Sequence, residues 1–486
     1  MFFIRCFCHF VGKTCPFFIT LQIALFLSCK GTSSSEEELE KGGCAQKDIA
    51  SCVLWCKNEQ PINEESMNYQ LKYLETLRGA VVLSASKSLS ARALLVGALA
   101  GGSDLENLSD CDDTRVLRAA LEKRLPLIDV EAAGTAMRFL TAYWATAAGE
   151  EHVLTGSPRM QQRPIGVLVS SLRQLGADIA YEKEEGYPPL RIRGRQLTGG
   201  ILELPADISS QYISALLMIA PTLEQGLHLR LLGQIASRPY IEMTLAVMRC
   251  FGVEATWISD SEIRVPHQAY HRDVNFRVEP DWSGASYWYE LMALSSDTEA
   301  RLFLPGLRQD SCQGDSIVAT WFEALGVHTE YRDNGVVLTK TSVVEGGLLE
   351  WDFTSCPDLA QTFVVTCAVL GRPFRFSGLQ SLRIKETDRV AALQTELQQL
   401  GITVAAYQDA TVSGGNLVME MLKPQVLQDN VAVIATYDDH RMAMAFAPVA
   451  CRLPDLQIAH PEVVSKSYPN FWEDLLSVGV DIQSHG

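Results

Sequence analysis

LRQLGADIAYEKEEGYPPLRIRG (172–194), MRCFGVEATWISDSEIRV (248–265), FEALGVHTEYRDNGVVLT (322–339) and LQQLGITVAAYQDATVSG (397–414) are one pattern written four times. In each, an apolar-periodic helix stops at a glycine, and a strand, a polar turn and a second strand follow. A left-handed glycine closing a helix ahead of a hairpin produces this order. A fifth, truncated copy, LLSVGVDI (475–482), closes the chain. The glycines, Gly176, Gly252, Gly326, Gly401 and Gly479, are spaced 76, 74, 75 and 78 residues apart. That spacing is too even for chance and too long for a short solenoid repeat. VLRAALEKRLPLIDV (116–130) reads as a sixth, shortened copy without the glycine and hairpin. The 420 residues from Met67 onward therefore hold six α/β units. Because this exceeds what one core usually serves, two lobes of three units with a cleft between them are predicted.

Bulk composition sets wider bounds. The chain has 486 residues, 47% hydrophobic and 20% charged, as a globular protein does, and a net charge of -17. Such an excess of acid argues against general nucleic-acid binding, which needs a basic surface. Of 13 cysteines, seven (Cys6, Cys8, Cys15, Cys29, Cys44, Cys52 and Cys56) precede residue 57, and no CxxC pair occurs among the other six. The body thus reads as a reducing-compartment protein without a cysteine metal site. Residues 1–66 stand apart. Their apolar run 17–27, followed by Ser28-Cys29, is compatible with a secretory or lipoprotein leader anchored through Cys29, but it is short for a membrane span. The favoured reading is an extension ahead of a start at Met67, with the body in the cytoplasm and not stably bound to membrane.

Between the repeat copies lie basic or polar segments that the repeat does not require: SASKSLSAR (84–92), AAGTAMR (132–138), TGSPRMQQRPIG (155–166), ISSQYISALL (208–217), ASRPYIE (236–242), RIKETDR (383–389), YDDHRMAM (437–444) and SKSYP (465–469). The first is a strand-to-helix junction. Free N–H groups and the helix dipole favour an anion there, and Lys87, Arg92 and the hydroxyls of Ser86, Ser88 and Ser90 would deepen the site. Each segment alone also fits an ordinary cap or a solvated turn. Together they place Lys87, Arg92, Arg138, Arg159, Arg163, Lys385, Arg389, Arg441 and Lys466 in recurring turns of an acidic chain. Cations concentrated in loops suit a small polyanionic substrate bound between lobes. No GxGxxG or P-loop is present at the opening, so a nucleotide is not implied. Acid/base candidates are Asp358 in SCPDLAQTF, Glu386 beside Lys385, and Asp281 in EPDWSGASYW. A salt-bridge role competes with catalysis for Glu386, and an N-cap role competes for Asp358.

In order, SKSLSAR, AGTAMR, GSPRMQQRPIG, SSQ, RIKETDR and DDHRMAM resemble the 5-enolpyruvylshikimate-3-phosphate (EPSP) synthase family from Met67 to the end. The resemblance implies an α/β fold of two lobes, each of three βαβαββ units, with the active site in the cleft. The implied domains are 86–279 and 67–85 with 280–486. It also implies transfer of the enolpyruvyl group of phosphoenolpyruvate to the 5-hydroxyl of shikimate 3-phosphate through a tetrahedral adduct. No cofactor or metal and a monomeric state are implied. By motif position, Lys87, Arg159, Gln211, Arg389, Arg441, Lys466 and Gly134 would hold phosphoenolpyruvate. Ser88, Arg92, Ser209, Ser210, Ser237, Asp358 and Lys385 would hold shikimate 3-phosphate, with Tyr240 nearby. Asp358 would be the general base, and Glu386 with Lys87 would manage the proton at the phosphoenolpyruvate methylene.

Departures fall at Glu131, Ala132 and Phe139, where the family usually reads GNAGTAMRP, at Ala91, and at Ser381, where an asparagine often contacts substrate. Substrate affinity and the response to glyphosate are where these would act. The rivals are the sister transferase acting on UDP-N-acetylglucosamine, which usually has a reactive lobe-one cysteine and lacks RIKETDR, and a non-catalytic phosphate binder. A chain starting at Met67 is expected to melt at the temperature of the full chain. A lower melting point in the shortened chain would mean that residues 1–66 pack on the body.

Overall fold

The computed structural model describes residues 67–73, 76–343, 347–409, 416–428 and 432–485; the leader-like stretch with Cys29 lies outside them. Five four-stranded sheets share one wiring. In one of them, strand Leu127–Asp129 leads to helix Gly134–Thr146, strand Glu151–Thr155 and helix Gly166–Gln174, and the hairpin Asp178–Tyr181 and Leu190–Arg193 completes the unit. The first two strands run parallel, and the fourth inserts antiparallel between the second and third. A right-handed crossover joins parallel neighbours, whereas a hairpin can only add antiparallel ones, so a βαβαββ unit settles in this order.

The glycines of the repeat all take positive φ: 103° at Gly176, 79° at Gly252, 81° at Gly326, 79° at Gly401 and 102° at Gly479. The last unit is completed from the other end of the chain. Strand Asn68–Tyr73 inserts between Leu456–Ala459 and Val480–His485 as the fourth strand. The shortened unit is a two-stranded parallel sheet, Asp104–Glu106 beside Asn275–Arg277, with helices Lys87–Leu99 and Asp112–Lys123. Its second helix ends at Arg124 in the left-handed region (φ 48°), without a glycine. The predicted sixth copy therefore straddles two units: its helical half closes the short unit and LID opens the next.

Two hydrophobic cores result. One gathers residues 85–278; the other joins 71–83 to 282–480. The first helix of each unit is the central one. Trp282–Leu294 and Ala360–Val369 are buried at every position and Gly134–Thr146 at 11 of 13, so these helices are enclosed on all sides rather than along one stripe. The chain passes between cores twice, side by side: Ser86 N–H donates to Glu279 O (2.9 Å) and Asp281 N–H to Ser84 O (3.0 Å).

Gly326 illustrates why the repeat needs its glycine: a Cβ there would lie 2.8 Å from Thr341 O. Gly326→Ala is expected to lower unfolding free energy by about 1–2 kcal/mol through the left-handed penalty. Urea denaturation measures this, and an unchanged midpoint would contradict it.

Candidate active site

The six central helices begin at one place. Lys87, Gly134, Ser210, Ser283, Asp358 and His440 stand within the first turn, or just ahead, of six different helices, three from each core, and all line one cavity of about 780 Å³. Six helix N-termini converge there, so their dipoles lend the cavity positive potential before any cationic side chain is counted.

The side chains from the 85–278 core add cations without neutralising them. Arg92 is buried, and its guanidinium is spent on neutral groups: Thr244 Oγ1 (2.8 Å), Ser88 O (2.8 Å), Ser214 Oγ (3.1 Å) and Tyr240 O (3.2 Å). Arg138 donates to Gly134 O (3.1 Å) and Pro164 O (3.2 Å). Among the described residues neither pairs with a carboxylate, and burial pulls both pKa values down to about 10. A third guanidinium, Arg163, lies against Gly134. A Cβ on Gly134 would stand 2.8 Å from its Nη1, so a side chain there would push that guanidinium aside. Lys87 is different, for Asp113 takes its ammonium at 3.1 Å. Burial, the largest single influence, disfavours the Lys87 charge, but Asp113, Cys111 and Glu386 together outweigh it and the pKa rises.

Ser209 caps helix Ser210–Ile219 by accepting from Gln211 N–H (3.4 Å), and Gln211 Nε2 donates to Thr135 Oγ1 (3.0 Å). Ser237 holds a left-handed backbone (φ 55°), and its N–H donates to Thr354 O of the other core (2.9 Å). Ser88 lines the cavity as expected. Ser86 and Ser90 do not join it: both are fully buried, Ser86 caps its helix toward Leu89 N–H, and Ser90 accepts from Ser109 N–H (2.9 Å).

The other core supplies cations already paired. Arg389, almost wholly buried, donates to three carboxylates: Asp439 from Nε (2.7 Å) and Nη2 (3.2 Å), Glu386 from Nη2 (3.0 Å) and Asp358 from Nη1 (3.4 Å). Arg441 Nη2 reaches Asp358 Oδ2 at 3.1 Å, Lys385 Nζ reaches Oδ1 at 3.5 Å, and Lys466 Nζ reaches Glu386 Oε1 at 3.2 Å. Burial by itself would raise the pKa of Asp358, but Arg441, Lys385 and Arg389 hold it far below the carboxylate range. Glu386 is held down likewise by Lys466, Arg389 and Arg163. Both candidates are therefore ionised and stripped of basicity until something anionic shares their cations.

Two expected residues stand outside the cavity wall. Arg159 is exposed and bridges the cores by donating to the carbonyls of Glu386 and Lys385 (both 3.2 Å). Lys466 Nζ donates to Ala132 O (3.0 Å), the carbonyl of a departure position, while Glu131 beside it takes φ 51° where the family usually has glycine. Ser381 lines the cavity, and its buried hydroxyl has no partner among the described residues. Asp281 caps helix Trp282–Leu294 by accepting from Gly284 N–H (3.3 Å), and burial raises its pKa. Arg163 belonged to the expected cation set, whereas Asp439 and His440 were not singled out from the sequence. Asp439 could have been, since DDHR puts an acid two residues before Arg441.

The family model described as EPSP synthase (3-phosphoshikimate 1-carboxyvinyltransferase) matches residues 120–475. The chain is 53% identical over 418 residues to the 3-phosphoshikimate 1-carboxyvinyltransferase of Bacteroides fragilis, covering 86% of this chain and 99% of that one. The chain belongs to the EPSP synthase family. It is accordingly an enzyme, a 3-phosphoshikimate 1-carboxyvinyltransferase. The enzyme of that name from Photobacterium profundum is 37% identical, across 83% of this chain and 97% of its own. Among solved structures, an EPSP synthase from Acinetobacter baumannii superposes with a TM-score of 0.69 over 87% of this chain and all of that one. The enolpyruvyl transferase NikO from Streptomyces tendae superposes at 0.62, over 86% and 99%. At 19% and 15% identity these two establish the fold alone, and the two cores with a cavity lined from both agree with a two-lobed form of it.

Asp439→Ala would leave the Arg389 guanidinium short of its best partner in a buried setting. The expected loss is on the order of 3 kcal/mol of stability, read by urea unfolding. A loss below about 0.5 kcal/mol would show that Glu386 and Asp358 suffice.

Proposed function

We propose that this chain moves the enolpyruvyl group of phosphoenolpyruvate onto the 5-hydroxyl of shikimate 3-phosphate by addition and elimination, with the residues of the cavity in the following roles. The observation that carries the reading is Arg389 shared between Asp358 and Glu386 at the point where six helix N-termini converge. Two acid/base groups are thereby fixed a guanidinium apart, inside a site whose charge suits two anions.

Shikimate 3-phosphate takes the unneutralised side: Arg92, Ser88, Ser209, Ser210 and Ser237, with Lys385 and Asp358 against its hydroxyls. Phosphoenolpyruvate takes Lys87, Gln211, Arg389, Arg441 and Lys466, with the bare backbone of Gly134 leaving it room beside Arg163. Arg159 exchanges its bonds to the Lys385 and Glu386 carbonyls for the phosphoenolpyruvate phosphate. Once carboxylate and phosphate groups draw on Arg441, Arg389 and Lys385, the basicity of Asp358 is restored, and it accepts the 5-hydroxyl proton. Glu386, relieved in the same way of Lys466 and Arg389, manages with the Lys87 ammonium the proton at the methylene carbon. The guanidiniums then stabilise the negative charge that gathers on the tetrahedral adduct.

The lobes are taken as 86–279 and as 67–85 with 280–486, a division that the two cores support. A monomeric enzyme in the cytoplasm fits this reading, and among the described residues no helix is long and apolar enough to cross a membrane. Nothing in the family match or in the relatives above favours UDP-N-acetylglucosamine as acceptor, or a binder without activity.

The deciding assay is phosphate release from phosphoenolpyruvate with shikimate 3-phosphate or UDP-N-acetylglucosamine as acceptor; turnover with the first alone is expected. Asp358→Ala should lower kcat by roughly 10²- to 10⁴-fold with binding retained, whereas Arg159→Ala should first weaken phosphoenolpyruvate binding, by about 1.5–3 kcal/mol. Normal turnover in the former, or unchanged affinity in the latter, would remove that residue from its role.

A further inference from the structure

Asp315 is a buried carboxyl group that none of the roles above uses. It lies in the short 3-10 turn Gly314–Ile317 of the second core, 4% exposed. Its Oδ2 accepts from the hydroxyl of Ser283 and stands 3.3 Å from the phenol of Tyr240. Its Oδ1 is buried with no hydrogen-bond partner among the described residues. Among the described residues no cation and no backbone N–H bonds to it. Asp358 contrasts with it at every point, for three cations reach that carboxylate. A carboxylate with one orphaned oxygen and only hydroxyls on the other is poorly stabilised, whereas a neutral carboxylic acid fits the same surroundings.

Tyr240 connects the two acids. Its hydroxyl is 3.3 Å from Asp315 Oδ2 and 3.4 Å from Asp358 Oδ2, and one phenol proton cannot serve both. We propose that Asp315 is a positioning residue that carries a proton, donates it in a hydrogen bond to the Tyr240 oxygen, and so directs the phenol proton to Asp358. The chain Asp315 to Tyr240 to Asp358 then has a single polarity, and no proton leaves its oxygen for it to work. This rests on Asp358 being the base proposed above.

The chain is assembled across the cleft. Tyr240 comes from helix Arg238–Cys250 of the first core; Asp315 and Asp358 belong to the second. The contact is made possible by Gly314, where a Cβ would overlap the ring of Pro239. Asp358 is therefore completed by a group that arrives only when this helix sits on Gly314.

Several charges face Asp315: Asp358 from the turn Pro357–Leu359, Arg441 from helix His440–Phe446, and Asp281 at the start of helix Trp282–Leu294, with the Cys356 thiol also near. Burial and then Asp358 push its pKa up to about 6, with Asp281 adding and Ser283 and Arg441 opposing. The sign is that of a group whose proton is kept to higher pH than usual. The arrangement weakens as pH rises through that ionisation, and bound substrate anions would move the ionisation higher still.

The test is kcat, phosphoenolpyruvate KM and the pH profile of kcat for the full chain carrying Asp315→Ala, Asp315→Asn, Tyr240→Phe or the Asp315→Ala/Tyr240→Phe pair, with a melting curve for each. Asp315→Ala is expected to lower kcat at least 10-fold with KM changed less than about 3-fold. Asp315→Asn, whose amide donates to Tyr240 permanently, should recover most of that loss and abolish the alkaline inflection that the wild type owes to Asp315. The pair should lose no more than its worse single variant. Gly314→Ala, which keeps the side chains of all three residues but drives Pro239 and with it Tyr240 away, should lower kcat in the manner of Tyr240→Phe. The proposal is overturned if Asp315→Ala keeps wild-type kcat, if Asp315→Asn loses as much as Asp315→Ala with an unmoved profile, or if the losses of the pair multiply. Should Asp358→Ala itself leave turnover intact while Asp315→Ala lowers it, the base assignment fails and with it this polarity, and the two failures are told apart by that variant.

Discussion

One guanidinium holds this site together. Arg389 lies in a buried pocket where an unpaired charge would be prohibitive, and it is tolerated because Asp439 grips it by two nitrogens while Glu386 and Asp358 take what remains. That arrangement fixes the distance between two carboxylates from different segments, and it ties RIKETDR to the helix begun by DDHR. Around it the charge is balanced in the second lobe and unbalanced in the first. An anion entering the cleft meets on one wall guanidiniums, Arg92 and Arg138, bonded among the described residues only to neutral groups, and on the other must compete with carboxylates for theirs. Competition of this kind releases Asp358 and Glu386 from the cations that suppress them, so binding and activation become one event.

The repeat was legible because its signal is local. A glycine that ends a helix has to adopt positive φ, and five of them at even spacing betray the duplication without any knowledge of the partners they face. Where the same turn is made by Arg124 the signal disappears, and the short unit could be located only to within its helix. Pairings between distant segments left no trace at all. Nothing in NYQLKY points to the last strand as its neighbour, and nothing in NFR points to Asp104–Glu106.

The site was legible to the extent that its residues cluster in motifs. Lys87, Arg92, Arg389 and Arg441 were recoverable as a concentration of cations in an acidic chain, and the structure brings them into one cavity. The division of labour among them was not. Whether a given serine caps a helix or faces the cleft depends on which side of the helix it occupies: Ser86 and Ser88 sit two residues apart and do different things. Partners such as Asp439, Asp113 and Asp315 read as ordinary acids until three-dimensional contact shows what each one touches.

The strand Asn68–Tyr73 has a consequence for how the molecule is made. It is among the first of the described segments to leave the ribosome, and the strands on either side of it, Leu456–Ala459 and Val480–His485, are among the last. Its lobe cannot close its sheet until Val480–His485 has been made, by which time every described strand and helix of the 85–278 core is already available. Domains fold as units and the N-terminal one usually leads. Here the inserted lobe is in a position to finish first, and the other lobe waits, with an unpaired strand in hand, for the two strands that flank it to arrive.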